Sequence, residues 1–190
     1  METADQETLS ALRDFFTARN GDDLAAACMK MARDGVANPD PADAGDNYWE
    51  EVEFVYNKLF VGPMALLAPP YASCYLEPEP QLMAESTLKV RRLYEMAGLA
   101  SPLEGLLPDD HLGVELDAAL GLLTIVQRCN AEEPRALWRY FLHEDLGAWV
   151  PRFLNRARNA ETGHPAVDLA LDRLEAWLEN QGKEQEGYHQ

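Results

Sequence analysis

The stretch "PDDHLGVEL" gathers the residue types best able to do chemistry in this chain: Asp109, Asp110, His111 and Glu115. His111 and Glu115 are four apart, so on a helix they share a face. Asp110, His111 and Glu115 could then form a metal or acid–base cluster, as a metal-dependent hydrolase would need. The competing reading is structural. Asp109 or Asp110 caps the helix that follows by accepting orphan backbone N–H groups, and His111 contacts Glu115. The residue types favour the structural reading. No HExxH is present, and His143, His164 and His189 stand in no ligand spacing with the cluster. A second group, His143, Glu144 and Asp145 in "FLHEDLGAWVPRFL", falls late in a helix that Gly147 is expected to break. Pro151 is then tolerated in the first turn of the next helix, and Trp149 and Phe153 read as core. "GLASPLEGLL" lacks the Lys-Ser/Thr of a phosphate loop, and no serine stands in a GxSxG elbow. The expectation is therefore a protein that is not an enzyme, with no cofactor and no metal.

The elements that must position these residues read as helices. "TLSALRDFFTAR" sets Leu9, Leu12, Phe15 and Phe16 on one stripe. Asp22 is the expected N-cap and Gly35 the expected C-cap of "DLAAACMKMARDG". "NYWEEVEFVYNKLF" aligns Trp49, Val52, Tyr56, Leu59 and Phe60 on one face. "PQLMAESTLKVRRLYEMAG" puts Val90, Leu93, Tyr94 and Ala97 in register and closes at Gly98. Leu112, Leu116, Ala119, Leu120, Leu123 and Val126 form the next stripe, and Val167, Ala170, Leu171, Leu174, Trp177 and Leu178 the last. The fold class is all-α: one helical bundle of about eight helices over residues 1–181, followed by a polar, disordered tail at 182–190.

Bulk properties narrow the partners. The chain has 190 residues, 47% of them hydrophobic, enough for one well-packed core. Its 33 acidic residues against 16 basic ones give a formal net charge of -17, which repels a phosphate backbone and argues against nucleic acid. A basic partner would be attracted. Cys28, Cys74 and Cys129 are far apart and odd in number, the usage of a reducing compartment. The N-terminus has no basic region followed by an apolar run, and no stretch reaches the roughly 20 apolar residues of a membrane span. A cytoplasmic protein is expected.

One segment fits no regular element. "LFVGPMALLAPPYASCYL", Leu59 to Leu76, is apolar but has neither helical nor strand rhythm. Its Gly-Pro and Pro-Pro pairs keep it from closing into a helix that would bury its own side chains, and Pro69 steers Ala68 toward an extended conformation. It reads either as an apolar groove wall or as an ordinary core-packing connection.

The blocks "LFVGPMALLAPPYASCYL", "STLKVRRLYEMAGL", "PDDHLGVELDAALGLL" and "FLHEDLGAWVPRFLNRA", in this order and spacing, resemble the TorD/DmsD family of redox-enzyme maturation chaperones, relatives of the NarJ type. The resemblance covers about Trp49 to Ala160. It implies an all-helical, cytoplasmic chaperone that binds the twin-arginine signal peptide of a molybdenum- or tungsten-cofactor oxidoreductase. Such a chaperone holds the apo form of that molybdopterin enzyme during cofactor insertion and delays its export. The resemblance assigns peptide binding to Tyr56, Leu59, Phe60, Gly62 and Pro63 in the first block and to Asp110 and His111 in the third. Tyr56 stands where some members carry Trp. Helical bundles of this kind can exchange segments between copies, so a homodimer is compatible with the sequence.

Overall fold

Helical periodicity becomes helix nearly everywhere it was legible. The computed structural model describes residues 3–32, 47–77, 85–100, 105–129 and 131–186. Among these, the α-helices are α1 Ala4–Phe16, α2 Gly21–Ala32, α3 Tyr48–Tyr56, α4 Ser73–Leu76, α5 Glu85–Met96, α6 Leu112–Arg128, α7 Glu132–Tyr140, α8 Gly147–Arg158 and α9 Pro165–Glu186. No strand forms among the described residues; one isolated antiparallel bridge joins Tyr71 to His111. The class is all-α, as the sequence implies. The expected C-cap at Gly35 and the expected helix start near Pro80 lie outside the described residues.

The expected stripes are the core. Leu9, Leu12, Phe15 and Phe16 of α1 are buried and pack mainly against α6 and α2. At the centre, aromatic edges interlock: Phe16 meets Phe60 at 5.7 Å and Phe153 at 5.8 Å, and Phe60 meets Tyr56 at 5.4 Å. Such edge-to-face pairs fix ring positions as well as bury area. Helix α9 lies along α1, α2, α3 and α8 and closes the bundle.

Several helix ends differ from the expectation. Helix α2 begins two residues early, at Gly21, and Asn20 caps it: its side-chain oxygen accepts from the Asp23 N–H at 2.9 Å. Asp22 therefore sits in the first turn, where its charge favours the dipole. Helix α5 closes at Gly98 as expected, with φ +65° and the Leu99 N–H bonded to Tyr94 O at 2.9 Å. Gly147 does not break its helix. Phe141–Leu146 winds as a π turn that joins α7 to α8 without interruption, so Pro151 lies inside a continuous helical run. Gly147 permits that turn, because a Cβ there would stand 2.8 Å from Leu142 O. Helix α9 runs through Gly182 to Glu186, since Lys, Glu and Gln are good helix formers; residues 187–190 lie outside the described residues.

The three cysteines are free, with Cys28 buried and Cys129 exposed. Among the described residues, no helix is long and apolar enough to cross a membrane.

Candidate functional site

The irregular apolar segment is built around a second π turn. Helix α3 does not end at Tyr56 but widens into Asn57–Val61, where the Gly62 N–H reaches back to Asn57 O at 2.8 Å. Gly62 then takes φ +105°, a backbone conformation that a side chain would strain. From there the chain doubles back over the helix end. The Ala68 N–H donates to Leu59 O at 2.9 Å and the Arg156 guanidinium of α8 donates to Leu67 O at 2.7 Å. The segment thus satisfies helix carbonyls that would otherwise be orphaned.

Beyond Ala68, the segment meets the "PDDHL" block. The Leu112 N–H donates to Pro70 O at 2.9 Å, and the Ala72 N–H to Asp110 O at 3.0 Å. The Asp110 carboxylate accepts from the Ser73 N–H at 3.0 Å, so it caps α4 and not the helix that follows it. His111 takes that second role: it is the N-cap of α6, its Nδ1 accepting from the Gly113 N–H at 3.0 Å. Asp109 pairs with Arg91 at 2.6 Å. The expectation that Asp109 or Asp110 caps α6 is therefore corrected by one residue, because the backbone pairing with Pro70 and Ala72 holds the chain extended through Asp110.

Two hollows flank the π turn, and Asn57 lines both. The inner cavity, about 460 Å³, is lined by Tyr56, Phe60, Tyr71, His111, Thr17 and Arg19 among others. The outer cleft, about 450 Å³, is walled by Phe54, Lys58, Gly62, Pro63, Met64 and Leu67. It is open and apolar: Phe54 is 68% exposed and Met64 84%.

The candidate residues divide between these surroundings. Gly62 and Pro63 line the outer cleft; Tyr56, Phe60 and His111 back the inner cavity. Leu59 is core, 1% exposed. Asp110 is wholly buried, which leaves it no surface on which to meet a solvent cation. Phe54 escaped the sequence reading of the site. For Phe54 the signal was present: an aromatic set between Glu51 and Lys58 on the polar side of an amphipathic helix.

Asp110, His111 and Glu115 do not form a working cluster. Glu115 is fully buried and accepts from the Trp149 indole N–H at 3.0 Å, not from His111. Burial lowers the pKa of His111 to about 4 despite Asp110 beside it, so the ring is neutral near pH 7. With Nδ1 accepting, Nε2 carries its proton. Glu115 is pushed well above the usual carboxylate range by burial, then by Asp145, and Asp145 is itself raised to about 6, chiefly by burial. Asp110, Glu115 and Asp145 each keep one buried oxygen with no hydrogen-bond partner among the described residues. Burial favours the neutral form of Glu115 over the charged one. Among the described residues no group of three or more His, Cys, Asp or Glu is placed to hold a metal ion.

A family model described as nitrate reductase delta subunit matches residues 1–155. The Tat proofreading chaperone DmsD of Salmonella typhi is 32% identical over 116 residues, covering 61% of this chain and 53% of that protein. The chaperone protein TorD of Aliivibrio salmonicida is 32% identical over 108 residues, 54% of this chain and 50% of that protein. The matches thus span about half the length of these curated relatives. Among solved structures, a candidate redox enzyme maturation protein of Archaeoglobus fulgidus superposes with a TM-score of 0.59 over 96% of both chains, at 18% identity, a likeness of fold.

Proposed function

Because the chain belongs to the nitrate reductase delta subunit family, the group that includes the TorD/DmsD-type chaperones, we propose that it is a maturation chaperone for an exported redox enzyme. It binds the twin-arginine leader of a molybdenum- or tungsten-cofactor oxidoreductase, holds the apo-enzyme during cofactor insertion, and releases it for export. It works in the cytoplasm and needs no cofactor of its own.

The observation that carries this reading is the outer cleft. A twin-arginine leader has a basic pair followed by an apolar stretch. A binder needs exposed apolar surface that does not collapse on itself. Gly62 and Pro63 line the cleft together with the exposed side chains of Met64 and, from α3, Phe54. Methionine adapts to varied apolar side chains at little cost. Tyr56, Leu59 and Phe60 serve from below, as the packed floor that fixes the π turn. His111 lines the inner cavity, and Asp110 braces the neighbouring chain through Ser73. The net charge of -17 speeds encounter with a basic segment.

The direct test is calorimetric titration of the purified chain with a twin-arginine leader peptide, at low and high salt. Binding that weakens with salt is expected, because exposed charge pairs are screened. A leader whose apolar stretch is replaced by serine and asparagine should bind much more weakly. Equal binding of both peptides would sink the reading. In cells, loss of the chain should leave the client oxidoreductase short of its cofactor. Size-exclusion chromatography before and after titration reports whether a homodimer takes part.

A further inference from the structure

Leader binding leaves open which carboxylates read the arginines. Asp110, Glu115 and Asp145 are at most 1% exposed, so none offers a surface to a guanidinium. Glu53 is half-buried and already accepts from the Gly21 N–H at 2.6 Å. The exposed acids on the helix that forms one wall of the cleft are Glu50 and Glu51. They lie four and three residues before Phe54, so they share its face of α3.

This face has a polarity. It begins with the two acids, continues with the exposed Phe54 ring, and ends at Lys58. Beyond Lys58, Arg156 of α8 grips Leu67 O at the far wall of the cleft. The face of α3 that supplies Phe54 and Lys58 to the cleft is therefore acidic at its start, apolar in the middle and basic at its end. From Glu51 to Lys58 the helix rises about 10 Å, at 1.5 Å per residue. An extended peptide covers that in about three residues.

We propose that the leader lies along α3 in one direction: its basic pair on Glu50 and Glu51, its following apolar residues over Phe54 and into the cleft beside Pro63 and Met64. The reverse direction would bring the arginines to Lys58 and Arg156. The inference rests on the leader-binding reading above and adds to it the residues that read charge and set direction.

The test is a charge swap on the full chain. Three leader peptides are titrated at low salt, carrying Arg-Arg, Gln-Gln or Glu-Glu at the pair and the same apolar stretch. Wild type should prefer Arg-Arg over Gln-Gln by about three- to tenfold, the scale of two exposed ion pairs. In Glu50→Lys/Glu51→Lys the order should reverse, with Glu-Glu bound tighter than Arg-Arg. Both positions are exposed, so the swap should cost the fold only the helix-dipole contribution of two carboxylates, a shift of a few degrees that a thermal melt beside each titration records. Phe54→Ser should weaken all three peptides alike. If the double variant keeps the wild-type preference for Arg-Arg, the arginines are read elsewhere; leader binding then stands and this inference falls. If wild type binds none of the peptides, both fall.

Discussion

The indole N–H of Trp149 donates to Oε2 of Glu115 at 3.0 Å, inside a core where both side chains are fully buried. The other Glu115 oxygen has no partner among the described residues, and burial together with nearby Asp145 raises its pKa. The sign for stability follows. Between the ordinary value of 4.5 and the raised native value, the folded state binds more protons than the unfolded state. Stability is therefore fully present below pH 4.5 and is lost as pH rises through the native pKa. Glu115→Gln keeps an acceptor for Trp149 and cannot ionise. Urea melts at pH 5 and pH 8 should show the difference between Glu115→Gln and wild type moving in favour of the variant as pH rises. A pH-independent difference would show that Glu115 is ionised throughout.

His111 has the opposite sign. Its pKa falls from 6.5 to about 4, so it destabilises the fold as pH drops across that interval, where the unfolded state takes up the proton first. His111→Ala removes the cap of α6 and should cost about 0.5–2 kcal/mol at pH 7. His111→Asn restores a cap that cannot charge. It should lie within about 1 kcal/mol of wild type at pH 7 and gain on it at pH 5. Denaturant curves for both variants at the two pH values decide this.

Leu59 is packed under the π turn at 1% exposure. Leu59→Gln buries an amide and removes apolar contacts. We expect a loss on the order of 3 kcal/mol, with a clear fall in melting temperature. An unchanged melting point would place Leu59 at a yielding surface instead of the core.

Gly62→Ala tests the backbone of the outer cleft. At φ +105° a methyl group strains the chain, at roughly 1–3 kcal/mol. The strain is local, so leader affinity should fall more than global stability. Titration beside a thermal melt separates the two; an unaffected affinity would mean that the turn does not shape the binding surface.

Much of the fold was legible because apolar spacing near 3.6 survives in the sequence: the stripes at Leu9–Phe16 and Val167–Trp177 are the core they suggest. What stayed hidden were one-residue effects. A π turn inserts one residue into the helical count, so Gly147 and Pro151 read as a break that the chain instead absorbs. Capping moved from Asp110 to His111, and from Asp22 to Asn20, because backbone pairing and the entering chain decide which residue stands at the end. At the site, "LFVGP" marked the right turn but not which side chains face outward. Leu59 and Phe60 fall on the buried stripe already visible from Trp49 and Val52, whereas Phe54 breaks it. Asp145 stands out in the sequence beside His143 and Glu144, but its burial does not, since that depends on tertiary packing.

The carboxylate of Asp110 closes its bond to the Ser73 N–H across 37 residues of chain. Contacts between such distant partners carry a loop-closure cost and tend to form late in folding. Local turns of α3 and α6 can form early; the clasp between "PPYAS" and "PDDHL" must wait until both have docked. Substitutions in the clasp should then leave the refolding rate nearly unchanged and speed unfolding. A chain weakened there would still reach its native form, yet open its binding end more often and fall sooner to proteolysis.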